Sequence, residues 1–232
     1  MITKSVIIWV TLFSIAMGML ESAVVVYLRE LYYPEGFAFP LKMMSSTLIL
    51  TEILREVATL IMLIAIGVLA GRTKTEKFGY FIYSFAIWDI FYYVFLKLLL
   101  NWPESLLTWD VLFLLPTTWV GPVIAPLLLS VAMIALTLCI VAFTDKRSTT
   151  SIALPEWGLL IAGSIICIVS FTYEYSAYIL KQFAVSELFV PTEKLMEYAI
   201  QFVPEMFPWW IFILGFTLIL SGIGRFIFKN KN

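Results

Sequence analysis

The sequence predicts an all-α integral membrane protein, a six-helix transmembrane bundle that forms one polytopic membrane domain over residues 1–232. Three observations lead there. Of 232 residues, 62% are hydrophobic and 13% charged, with a mean hydropathy of +0.97, whereas soluble domains are roughly 45–50% apolar and about 25% charged. Six stretches reach the about 20 apolar residues that a spanning helix needs: 5–28, 47–70, 78–100, 119–143, 156–180 and 208–228. The basic residues, finally, gather in alternate connections between those stretches. This composition excludes a cytosolic enzyme, a nucleic-acid-binding protein and a disordered linker.

The first span begins after Lys4 in the manner of a signal peptide. Its apolar run continues through Val24, Val25 and Val26 to Leu28, longer than a signal core, so a retained helix is expected. Ser14, Gly18, Glu21 and Ser22 share a narrow sector of it, and the Gly18-x-x-x-Ser22 spacing permits close helix contact. The second span carries Glu52, Arg55 and Glu56. The two acids are i,i+4 neighbours and Arg55 is i+3 from Glu52, which suits either a paired-carboxylate site or an interhelical salt bridge. In the third span Asp89 lies among Trp88, Tyr92 and Tyr93, with both tyrosines one turn away.

After the Trp102-Pro103 break, residues 104–115 are apolar but only about 18 Å long as a helix, too short to cross. A re-entrant or interfacial helix closed by Pro116 is expected there, with Asp110 on it. Pro122 and Pro126 at the start of the fourth span free backbone carbonyls; the stretch 109–126 reads as one wall of a cavity or as a kinked start to the helix. In the fifth span Glu174, Tyr178 and Lys181 share a face. Between Pro191 and Pro204, with Thr192 as N-cap, residues of about 193–203 divide into a polar and an apolar face, an amphipathic helix lying on the membrane surface. Cys139 and Cys167 fall in apolar spans at different depths, so neither a disulfide nor a zinc site is expected.

Orientation follows from the rule that short basic loops stay cytoplasmic. Lys4; Arg72, Lys74 and Lys77; Lys146 and Arg147; and Arg225, Lys229 and Lys231 all fall on one side of a six-span protein. Both termini are therefore expected in the cytoplasm, with the protein in a cell or inner membrane. That side holds nine basic residues against three acids, and everything from mid-membrane outward holds six against thirteen. A near-neutral total of −1 thus conceals +6 facing −7.

Charges inside a span are expensive and mark function. The candidates for a ligand or cation are Glu21, Glu52, Arg55, Glu56, Asp89, Tyr92, Asp110 and Glu174, with Glu52, Glu56 and Asp89 as the set for a metal. The chain has no His, which removes the commonest general base and transition-metal ligand. No phosphate-cradling glycine loop is present either, so no haem, zinc or nucleotide cofactor is expected.

Three functions fit these residues. The first is an outward-facing intramembrane carboxylate site that binds or transports a cation or a proton-coupled small solute. The second is an enzyme acting on a lipid or isoprenoid. The run Ala86-Ile87-Trp88-Asp89-Ile90-Phe91-Tyr92, seven of the 232 residues, is similar to an aromatic-acid-aromatic stretch in membrane-integral terpene cyclases. That resemblance implies a buried acid protonating an olefin or epoxide beside π-faces that steady the cation. The third is a non-catalytic subunit or assembly factor docking partner membrane subunits. The expected partners are the lipid bilayer, a lipid or small solute, and other membrane subunits, with no nucleic acid.

Overall fold

The computed structural model describes residues 2–147, 150–189 and 192–231. Six long apolar helices dominate it: α1 (Ile2–Tyr32), α2 (Ser46–Ala70), α3 (Lys74–Leu100), α4 (Ile124–Lys146), α5 (Leu154–Ile179) and α7 (Trp209–Lys231). Each is long and apolar enough to cross a bilayer. A two-stranded hairpin, β1 (Trp109–Phe113) and β2 (Trp119–Pro122), sits between α3 and α4, and the short α6 (Glu193–Ala199) between α5 and α7. The bundle agrees with the sequence reading, and each span matches within a few residues.

Local chemistry sets the helix ends. Ser45 caps α2 by accepting the Leu48 N–H at 3.2 Å. Thr73 and Glu76 form a reciprocal capping box on α3, which ends at Asn101 in the left-handed conformation. These contacts satisfy backbone groups that a helix terminus leaves bare.

The third helix is the hub, packing against α1, α2 and α4, while α5 pairs with α7 and α4 also touches α7. Small residues let the backbones approach. A methyl group at Gly18 would lie 3.0 Å from the Trp88 carbonyl, and the Ser22 hydroxyl donates to the Tyr92 carbonyl at 3.0 Å, so the Gly18-x-x-x-Ser22 spacing does serve packing. Gly163 and Gly215 meet backbone to backbone, with an added Cβ 2.6 and 2.7 Å from the opposing carbonyl. Gly215→Ala should therefore lose about 1–3 kcal/mol of stability through overpacking. Gly224→Ala, with nothing within 4 Å, should not, and thermal unfolding of the two variants separates the cases. Cys139 and Cys167 are both free thiols.

The two ends of the bundle differ. At one, Arg72 pairs with Glu76 and with Asp145 near the end of α4, at 2.7 and 2.8 Å. Lys229 of α7 donates to the Ser151 carbonyl at the same end, and Val6 and Val10 of α1 pack beside Ala70. At the other end Phe37 and Phe39, from the α1–α2 connection, make edge contacts with Trp102 and Phe202. The hairpin lies under this aromatic layer, with Trp119 stacked on Phe171 at 5.9 Å.

Three expectations need correction. Residues 104–115 do not form a helix. Trp109-Asp110-Val111-Leu112-Phe113 is rich in aromatic and branched side chains that suit a pleated strand, and it pairs antiparallel with β2, Asp110 opposite Gly121. The pairing satisfies backbone groups that lipid could not, and the segment is covered by protein. Residues 119–122 belong to that hairpin, so α4 starts at Ile124, not 119. The amphipathic helix ends at Ala199, short of 203, because Phe202 turns inward against Tyr175 and Tyr178. Pro191 lies outside the described residues.

Candidate functional site

A cavity of about 180 Å³ lies among α1, α2, α3, the α1–α2 connection and β1. Seven acidic or basic side chains line it: Glu21 and Arg29 from α1, Glu52, Arg55 and Glu56 from α2, Asp89 from α3 and Asp110 from β1. Tyr92 lines it as well. Of the eight residues singled out from sequence, seven are thus brought together. Glu174 is not among them. Its Oε1 accepts the Glu205 and Met206 N–H groups at 2.7 and 3.1 Å, fixing the approach to α7.

The depths agree because α1 and α3 run in parallel against the antiparallel α2. Gly18 is level with Trp88 and Ser22 with Tyr92, while Thr59 of α2 reaches Glu21 at 3.5 Å. Arg55 joins α1 to α2. Its Nε and Nη2 donate to Glu52 Oε2 at 3.0 and 2.8 Å, and its Nη1 to Glu21. All three guanidinium nitrogens are engaged. The interhelical salt bridge is present, through Arg55 to Glu21 and Glu52, while Glu56 stands apart from it and the two acids of α2 have different partners.

Glu56 instead accepts the backbone N–H of Leu114, 3.0 Å from either oxygen. This bond ties the end of β1 to α2. Asp89 accepts the Ser130 hydroxyl of α4 at 2.8 Å. Asp110 is buried and faces Arg29 Nη2 at 3.4 Å and the Tyr93 hydroxyl at 3.2 Å. Of five acids on the cavity, three face an arginine and two, Glu56 and Asp89, are held by neutral donors. Among the described residues no three His, Cys, Asp or Glu side chains come close enough to hold a metal ion. Glu52, Glu56 and Asp89 are therefore not gathered into a ligand set.

Burial lifts the Asp110 carboxyl to about 6, against the pull of Arg29 and of hydrogen bonds from Tyr93, the Val111 N–H and Tyr92. The folded value exceeds the ordinary 3.8, so the stability tied to the protonated form is present below that pH and is lost as pH rises through 6. Asp110→Asn, which mimics the protonated acid, should gain stability relative to the native chain between those pH values. Thermal unfolding across the window checks this, and a pH-independent difference contradicts it.

Sequence reasoning missed Arg29, Phe37, Trp88 as a donor and Trp102. Arg29 is 7% exposed, its guanidinium carbon 3.7 Å from the Trp102 ring and 4.5 Å from that of Phe37. A signal was present: Gly18, Ser22, Val25 and Arg29 repeat at helical spacing, so the sector that holds Glu21 reaches Arg29 two turns on. No sequence pattern places Phe37 or Trp102, which come from two connections.

Fold and cavity together define a polytopic α-helical membrane protein with a charged cavity between its first three spans and a hairpin. Comparison with protein-family models, curated proteins and solved structures gave no match.

Proposed function

We propose that this protein binds a small solute in the cavity and moves it across the membrane with protons. The single observation that carries the reading is the division of the acids. Arg55 and Arg29 face Glu21, Glu52 and Asp110, while among the described residues Glu56 and Asp89 are hydrogen-bonded by the Leu114 N–H and the Ser130 hydroxyl and form no ion pair. An intramembrane carboxyl that is hydrogen-bonded by neutral donors and makes no ion pair is suited to taking up and releasing a proton. One of the two, Glu56, holds the hairpin that borders the cavity, so a change in its charge reaches a mobile-sized element rather than a whole helix. With both termini cytoplasmic, the cavity opens to the opposite side of a cell or inner membrane. Among the described residues no ligand set is clustered, which favours a proton and an organic solute over a metal ion.

The test uses phosphatidylcholine proteoliposomes with a trapped pH dye, an inward proton gradient and the potential clamped. A panel of amines, carboxylates, phosphates and amino acids is added outside. At least one solute should drive proton influx that Glu56→Gln/Asp89→Asn reduces to the level of protein-free vesicles. Identical traces for protein, double variant and empty vesicles across the panel would refute the transport reading.

A further inference from the structure

We propose that Arg29 is the recognition point for an oxyanion, so that the solute is an amphiphilic carboxylate or phosphate whose apolar tail lies along the cavity wall. This rests on the solute-site reading above and names the chemistry of the solute. The two arginines of the cavity differ in what they have left to give. Every guanidinium nitrogen of Arg55 already donates to Glu21 or Glu52. Arg29 donates through Nη2 to Asp110 at 3.4 Å, long for a charge-assisted bond, which is about 2.7–2.9 Å. Its Nη1 is buried with no hydrogen-bond partner among the described residues.

Leaving a buried donor on a charged group unpaired is costly, and here the cost is built in. Trp102 and Phe37, set edge to face with each other, bound the guanidinium on two adjacent sides at 3.7 and 4.5 Å and restrict its movement. A guanidinium held this way presents a preorganised fork to a planar or tetrahedral oxyanion. A cationic ligand would gain nothing from it.

A second unpartnered donor lies on the same cavity. Trp88 is 7% exposed and its Nε1 has no hydrogen-bond partner among the described residues. Gly18 is level with Trp88, and Arg29 is eleven residues further along α1, about 16 Å of helix. One small anion cannot reach both. Val25, Leu28, Leu41, Met44, Leu112 and Phe113 give the cavity an apolar part of its wall, beside the charged part that carries Glu21 and Arg55. A head group at Arg29 and a tail extending toward Trp88 fit that layout. The head group belongs to a free amphiphile or to a phospholipid, which share this chemistry.

The test is binding by the full chain in phosphatidylcholine nanodiscs, with octyl phosphate, octanoate, octylamine and inorganic phosphate as probes. Octyl phosphate and octanoate should bind at least about tenfold more tightly than octylamine or inorganic phosphate, and Arg29→Gln should remove about tenfold or more. Because Arg29→Gln leaves Asp110 without its cation, Arg29→Gln/Asp110→Asn removes both charges together and should lose the same affinity. Phosphatidylglycerol added to the nanodisc should weaken octyl phosphate binding if a lipid is the natural source and leave it unchanged if a free amphiphile is; both results support the oxyanion site. Octylamine binding as tightly as octanoate, or octyl phosphate affinity unchanged in both Arg29 variants, would overturn it. Arg29-dependent binding without proton flux would defeat the transport reading alone, and flux through Glu56 and Asp89 without such binding would defeat this inference alone.

Discussion

Replacing Arg55 with Gln should cost the fold about 3 kcal/mol, one of the largest single losses expected in this protein. The guanidinium neutralises Glu21 on α1 and Glu52 on α2, and removing one partner of a buried ion pair leaves the other charge bare at about 3–5 kcal/mol. The lower end applies because the Arg55 side chain is 22% exposed. The stronger part of the expectation concerns rescue. Glu21→Gln/Glu52→Gln/Arg55→Gln, which removes all three charges, should recover most of the loss, since polar groups of similar shape replace the network without stranding a charge. Thermal unfolding in one detergent measures both variants. Arg55→Gln unfolding like the native chain would show that the network contributes little, and a triple variant as unstable as the single one would show that packing of the arginine stem, not charge, is what α1 and α2 require.

A loss of similar size is expected for Trp102→Ala. Trp102 is buried and touches Phe37, Tyr93 and the Arg29 guanidinium. Truncating a buried Trp costs about 3–5 kcal/mol through lost transfer energy and the cavity left behind, and the cation–π contact adds to it. Trp102→Leu restores apolar volume without a π-face. It should recover part of the stability yet still weaken octyl phosphate binding, because Arg29 loses the ring it rests against. Equal affinity in Trp102→Leu and the native chain would mean that the ring does not position the guanidinium.

The long helices were legible because one physical demand, burying every backbone polar group in lipid, imposes about 20 apolar residues per span. The acids were legible too. Glu21, Glu52, Glu56 and Asp89 stand out as charges inside apolar spans, and the structure brings them onto one cavity. The hairpin was not. An apolar run of a dozen residues fits a buried strand or a short helix equally by composition, and strand pairing across the Pro116 break joins residues whose local patterns carry no mark of each other. Glu174 shows the opposite error. Its type and depth resembled those of the cavity acids, but its partners, the Glu205 and Met206 N–H groups, are backbone atoms about thirty residues away that no side-chain pattern announces. The role of Arg29 was not legible, because the rings it rests against, Phe37 and Trp102, come from connections that only tertiary folding brings together.

The central claim is that the cavity takes a solute together with protons, and proton uptake on binding tests it most directly. Octanesulfonate is a suitable probe, since it is an oxyanion amphiphile that does not itself titrate near neutral pH. Added to the protein in weakly buffered phosphatidylcholine nanodiscs, it should bind with net uptake of protons, and Glu56→Gln/Asp89→Asn should reduce the uptake to the share taken by Asp110 beside Arg29. Saturable binding with no proton movement, or uptake unchanged in the double variant, would contradict the account.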